Sequence, residues 1–294
     1  MLIKEYRIPL PLTVQEYQIG QLFTVTETSK NETGGGEGVE VLANEPFINK
    51  PIFGNQPSSG QYTYKIYHLK EKVPALIKLM APRGALQLHE ESWNAYPFCK
   101  TIVTNPSFKE RLRRYSVIIC VFGQISTRLV NFPLNRFSVI FESFHLPDKG
   151  TTENALNLPP EILAQREVVL IDVANDDILP GDYRPEYDPT KFHSVRTGRG
   201  PYFGDWINQQ TPMMTCYKYL SVEFKWFGLQ TRVEGHIHRI AQRLFTLFHR
   251  QLLCTIDQWI GLSLNDIRLL EAAAKEELNK QRQHDGIRGM SQIE

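Results

Sequence analysis

The feature that most constrains this chain is a run of strand patterns through its middle, with long helical patterns kept to the two ends. Strands that follow one another without intervening long helices pair antiparallel, so the order predicts an α+β fold rather than a doubly wound one. Residues 61–69 are the clearest strand, rich in Tyr, Thr and Ile. Period-two geometry puts Thr63, Lys65 and Tyr67 on one face and Tyr62, Tyr64, Ile66 and His68 on the other. Further strands are predicted over residues 2–10, 39–42, 85–89, 100–104, 137–144, 167–173 and 214–226.

Helices begin where capping residues precede an apolar stripe. Thr13 and Glu16 form a capping box that opens a helix to about Thr28. Thr231 and Glu234 form a second box, opening the longest helix. Its stripe of Val233, Ile237, Ile240, Leu244, Leu247, Phe248 and Leu252 would span roughly 43 Å if it ran to Trp259. A last helix starts at Ser263, and short ones are predicted over residues 74–80 and 160–165. Residues 175–213 read as a long loop with five prolines. Residues 111–136 look foreign to the rest, with five arginines, no acidic residue and no clear period; they are expected to be a disordered insertion. The whole of residues 1–294 otherwise reads as one domain.

Composition narrows the function classes. Lys plus Arg is 33 against 32 for Asp plus Glu, which argues against a nucleic-acid partner because such binding needs a dense basic face. The four cysteines are widely spaced without a CxxC, the pattern of free thiols in a reducing compartment. The start has no apolar core of signal-peptide length, so a cytoplasmic protein is expected. The longest apolar run, residues 117–122, is far below the roughly 20 residues of a membrane span.

Motifs for chemistry are missing from the sequence. Residues 34–38 are glycine-rich, but they follow a helix and precede a strand, the reverse of a phosphate loop. His236 and His238 lie two apart on a helix and point to different sides, so no metal site is expected. There is no GxSxG elbow and no kinase or nucleotide signature. A non-enzymatic protein without a cofactor is expected. Thr63 and Lys65 suit an ordinary solvent-facing strand, or a phosphate or polyol if their face lines a cavity. Trp226 and Phe227, at a strand end beside Gly228, suit either a core anchor or a tip that dips into a membrane.

Six stretches closely resemble the phosphatidylinositol transfer proteins, in that family's order: SKNETGGGEGVEVL at residues 29–42, GQYTYKIYH at 60–68, ESWNAYP at 91–97, KFHSVRTGRGP at 191–201, EFKWFGLQ at 223–230 and LFTLFHRQ at 244–251. The first looks more like the small single-domain class than the larger multidomain relatives. The resemblance implies a START-like helix-grip fold, a curved and mostly antiparallel sheet closed by long helices around a lipid cavity. It assigns Thr63, Lys65, Asn94 and Glu271 to the inositol headgroup, and Gln21, Thr101, Ser143 and Lys218 to the lipid phosphate. Cys99 matches a cavity cysteine and Phe248 an aromatic near a choline headgroup. Trp226 and Phe227 match the membrane-docking pair, with Phe in place of a second Trp, and Ser194 matches a regulatory phosphorylation position.

The implied job is a monomeric carrier of phosphatidylinositol or phosphatidylcholine, held as cargo and exchanged during transient contact with membrane surfaces. Exposing about 30 lipid methylenes to water would cost roughly 24 kcal/mol at about 0.8 per CH₂. A carrier must therefore supply an apolar cavity. The same residues would also serve a protein that senses or presents phosphatidylinositol in phosphoinositide signalling without bulk transport, and a liposome transfer assay separates the two.

Overall fold

The computed structural model describes residues 1–34, 38–53, 56–69, 86–106, 115–121, 124–130, 137–225, 228 and 230–284. In chain order, β1 (Leu2–Leu10) leads into α1 (Val14–Asn31), followed by β2 (Gly38–Phe53), β3 (Gln56–His68), β4 (Gln87–Ala95) and β5 (Phe98–Thr104). Next come β6 (Tyr115–Val121), β7 (Gln124–Val130), β8 (Phe137–Leu146), α2 (Pro160–Leu163) and β9 (Glu167–Leu170). The chain then forms α3 (Trp206–Gln209), β10 (Met214–Phe224), α4 (Gln230–Cys254), α5 (Ile256–Trp259) and α6 (Leu264–His284). The helix expected over residues 74–80 lies outside the described residues.

Eight strands form one sheet in the order β2-β3-β4-β5-β8-β10-β1-β9. Every pair is antiparallel except β1 with β9. Helices α1, α4 and α6 close one face, which gives the expected α+β helix-grip arrangement. Tyr6 and Phe141 of the sheet meet Phe245 of α4 edge-on, and Asn44 of β2 donates to Glu271 of α6 at 2.9 Å. The core between sheet and helices includes the fully buried Tyr6, Ile8, Met214, Leu220, Leu252 and Trp259.

Three local expectations are corrected. The first capping box forms as read, with Thr13 Oγ1 accepting from Glu16 N and Glu16 accepting from Thr13 N. The second does not. Glu234 instead accepts from Phe224 N at 2.9 Å and from the Gln230 side chain at 3.1 Å, tying the helix start to the end of β10. The long helix stops at Cys254, because Thr255 leaves helical geometry and its hydroxyl donates back to Gln251 O at 2.8 Å. The bend sends Trp259 under α1, where a Cβ on Gly20 would meet its ring at 2.9 Å. Residues 115–121 and 124–130 were expected to be disordered, yet they pair as an antiparallel hairpin separate from the large sheet. Both stretches are rich in β-branched residues and only two residues part them, which favours a hairpin.

The first half of the loop over residues 175–213 is pinned by two carboxylates. Asp188 is buried, which works against its charge, yet hydrogen bonds from Thr190, Lys191 and Tyr183 bring its pKa down to about 2. Asp182 forms a fork with Arg243 of α4 at 2.5 Å.

Beneath α1 and α4, Tyr17, His145 and His249 stack in the core. His249 Nδ1 lies 2.6 Å from Phe245 O and its Nε2 lies 3.0 Å from the Tyr17 hydroxyl. The ring is thus neutral, donating from Nδ1 and accepting at Nε2. Burial, and then the charge of Lys218, push its pKa down to about 3. The unfolded chain binds a proton there below about 6.5 that the folded chain refuses, so stability falls as pH drops from about 6.5 towards 3. One such group contributes at most about 1.4 kcal/mol per pH unit. His249→Gln should therefore flatten the dependence of the urea midpoint on pH between pH 6.5 and 5. An unchanged slope would show that other groups set it.

Candidate functional site

Side chains directly opposite each other on neighbouring strands share a face, so the sheet register decides what lies together. One cross-strand row runs Asn44, Thr63, Ser92, Thr101, Phe141. A second runs Val41, Lys65, Glu90, Val103, Val139. A third runs Gln61, Asn94, Cys99, Ser143, Lys218 and ends at Tyr6. Tyr6 bonds His238 of α4, so all three rows face the helices. The register thus brings Thr63, Lys65, Asn94, Cys99, Thr101, Ser143 and Lys218 onto the one face that the helices cover. The solvent-facing alternative for Thr63 and Lys65 is excluded.

These residues fall into two neighbouring groups. On β3 and β4, Lys65 Nζ lies 3.5 Å from Glu90 Oε1, and the Tyr67 hydroxyl donates to Glu90 Oε2 at 2.7 Å. Burial, and then the charge of Glu90, hold the Tyr67 phenol protonated by raising its pKa well above 10. A bulge at Leu42 turns Asn44 to the inner face opposite Thr63. Asn44 accepts from Gln61 at 2.6 Å and donates to Glu271, which also takes a 2.6 Å bond from Arg268. Glu271 therefore closes this end from above. Sequence reasoning missed Asn44, Glu90 and Arg268. The even spacing of Thr63, Lys65 and Tyr67 was the available signal, but the pairing partners of a strand are not written in its own residues.

On β5, β8 and β10 the second group surrounds Lys218. Its Nζ lies 3.5 Å from Ser143 Oγ and 5.3 Å from the centre of the Phe245 ring. Among the described residues no carboxylate pairs with it. Thr101 shares a 2.8 Å hydrogen bond with Ser92. From α1, Gln21 lies beside the Cys99 thiol, while its Nε2 and the Thr24 hydroxyl are buried without partners. The Cys99 thiol lies 3.3 Å from Asn94 Oδ1. Burial pushes its pKa up to about 12, so it stays a thiol and not a nucleophile. Phe248 sits on α4 against His249, packed on the core.

The remaining expected residues lie elsewhere. Trp226 and Phe227 lie outside the described residues. Ser194 is fully buried: its hydroxyl bonds Asp257 Oδ1 at 2.5 Å and accepts from Thr197 Oγ1 at 2.7 Å. His238 is buried and His236 exposed, so the pair does not converge. Among the described residues no cluster of His, Cys, Asp and Glu has metal-holding geometry, and no helix is long and apolar enough to cross a membrane.

Comparison with known proteins decides what this arrangement belongs to. Residues 1–119 and 120–276 match the family model described as phosphatidylinositol transfer protein, the two stretches meeting inside β6. The chain belongs to the phosphatidylinositol transfer protein family. It is 44% identical over 297 aligned positions to the phosphatidylinositol transfer protein beta isoform of Mus musculus, covering 99% of this chain and 98% of that one. The Homo sapiens beta isoform gives the same identity and coverage. Phosphatidylinositol transfer protein 1 of Dictyostelium discoideum is 42% identical, with 95% of each chain covered.

Lys218 is half-buried and has no carboxylate partner among the described residues, so its charge strengthens an anion site. Lys218→Met keeps the length of the side chain and removes the charge. It should raise or leave unchanged the melting temperature. Charged hydrogen bonds of this kind are worth about 1.5–3 kcal/mol, so phospholipid affinity should fall roughly 10- to 100-fold. Lipid extraction from the purified variant, beside a thermal melt, checks both directions.

Proposed function

We propose that this protein is a non-enzymatic, monomeric carrier that holds one phosphatidylinositol or phosphatidylcholine molecule between the inner sheet face and the helices. It exchanges that lipid between cytoplasmic membrane surfaces during brief contact. The observation that carries the reading is Lys218, without a carboxylate partner among the described residues, with the buried and unpaired Gln21 Nε2 beside the neighbouring Cys99. Buried donors without partners are costly, and a phosphodiester supplies what they lack. In this reading Gln21, Thr101, Ser143 and Lys218 hold the lipid phosphate. Thr63, Lys65, Asn94 and Glu271 take the inositol ring.

The spacing supports that division. The first group sits on α1, β5, β8 and β10, and the second on β3, β4 and α6. Along the sheet order, Thr63 and Lys65 on β3 and Asn94 on β4 adjoin Thr101 on β5, with Ser143 on β8 and Lys218 on β10 beyond it. Choline offers a cation and no hydroxyls, so phosphatidylcholine would share the phosphate contacts and place its headgroup near Phe248. The Cys99 thiol lies between the two groups as cavity wall. The family relation supports transfer as the activity, and the protonated Cys99 supports a role without covalent chemistry. Trp226 and Phe227 are proposed to dip into the bilayer. Ser194 is proposed as a phosphorylation site that a kinase reaches only when the segment over residues 194–199 opens, since Asp257 and Thr197 hold its hydroxyl.

Two experiments test this reading. Thr63→Glu puts a carboxylate where an inositol hydroxyl sits, costing on the order of 2 kcal/mol or about thirtyfold in affinity. Vesicle assays should show phosphatidylinositol transfer abolished and phosphatidylcholine transfer largely kept; parallel loss of both would remove the headgroup assignment. Trp226→Ala with Phe227→Ala should slow transfer of both lipids alike while bound lipid stays with the purified protein. Unchanged transfer, or loss of folding, would instead favour a core role for the pair.

A further inference from the structure

The two lysines of the inner face differ in how their charge is met. Lys218 has no carboxylate partner among the described residues, whereas Lys65 is matched by Glu90 at 3.5 Å. Both Lys65 and Glu90 side chains are 15% exposed, so water does little to screen them. Glu90 is itself held by the Tyr67 hydroxyl at 2.7 Å, which fixes the carboxylate beside the ammonium. At the other wall Arg268 is likewise matched by Glu271 at 2.6 Å. The phosphate end is thus left cationic and the headgroup end is left neutral.

We propose that Glu90, held by Tyr67, is a specificity-determining residue: it cancels the charge of Lys65, so that the headgroup end accepts an uncharged polyol and rejects one bearing a phosphate monoester. This rests on the proposed function, with the lipid phosphate at Lys218. A sugar-like ring asks for neutral donors and acceptors, which the paired Lys65 and Glu90 supply without net field. A phosphorylated ring would bring about two further negative charges against Glu90 and Glu271. Like charges in such a setting are strongly disfavoured, and this is selection by a repulsive element beside the attractive one.

The test is competitive loading from vesicles containing phosphatidylcholine, phosphatidylinositol and phosphatidylinositol 4-phosphate, followed by mass analysis of the bound lipid. In Glu90→Gln, which keeps the shape and frees Lys65, the ratio of the phosphorylated to the unphosphorylated inositol lipid should rise about tenfold or more. Tyr67→Phe keeps the carboxylate and should leave that ratio within about twofold of the parent protein. Lys65→Met should lower the ratio, and adding Glu90→Gln to it should restore the ratio towards the parent value. This charge cycle tests the inference even where Glu90→Gln alone does not fold. An unchanged ratio in folded Glu90→Gln, or no restoration in the double variant, overturns it. Equal loss of all three lipids would mean that Glu90 only supports the sheet, and also overturns it. Parent protein that loads neither phosphatidylinositol nor phosphatidylcholine would sink the carrier reading itself, a result distinct from a failed ratio.

Discussion

One strand register, continuous from β2 across to β1, fixes everything on the inner face. A slip of one residue in any pair would send Thr63, Lys65 and Glu90 outward and bring Tyr62, Tyr64 and Glu91 in. Two devices guard against that slip. The bulge at Leu42 gives β2 a single workable alignment on β3. At Gly60 the backbone of Asn94 comes so close that a Cβ would lie 2.0 Å from its carbonyl oxygen. Only glycine permits β3 and β4 to approach there, and the approach sets Asn94 opposite Gln61.

Within that frame the interior is deliberately uneven in its polar satisfaction. On the side away from the helices, the wholly buried Glu5 receives Arg7 and Arg166, both at 2.7 Å. Tyr217 is likewise anchored on Asp148 at 2.7 Å. Among these groups Arg7 Nη2 alone makes no hydrogen bond, and it lies 3.4 Å from Glu153 Oε2. On the helix-covered side Gln21 Nε2 is buried without a partner beside Cys99, and burial and then the Lys218 charge hold His145 and His249 neutral. Orphaned groups weaken a fold, and they survive where a ligand completes them.

The fold was legible where local patterns are strong. The alternation in β3, the capping box at Thr13 and the strand–strand succession each express chemistry that acts over a few residues. What was not legible depends on distant partners. Glu234 looked like a capping residue because its spacing from Thr231 is right, but the nearby end of β10 offers it a better donor in Phe224 N. The α4 stripe read through to Trp259 because nothing local shows that Gly20 leaves room for the indole. The same holds for the site. Thr63 and Lys65 could be read as facing one way, but not that this way is inward, and Glu90 gains its meaning only from being opposite Lys65.

A carrier must hold its cargo in water and yet release it at a membrane, and the apolar and polar contacts divide that work. The acyl chains lose nothing by moving between an apolar cavity and a bilayer, so their large hydrophobic term nearly cancels over the whole exchange. It sets the barrier to leaving alone into water, and not the choice among lipids. Choice falls to the few polar contacts, where the difference between a matched and an unmatched headgroup is a few kcal/mol. Those contacts must also stay modest, because each unit of extra affinity slows release. The proposed headgroup end of paired charges, beside Lys218 with no carboxylate partner among the described residues, meets both demands. In the proposed assignment the cation holds the lipid phosphate, and the paired groups add only enough to tell one headgroup from the other.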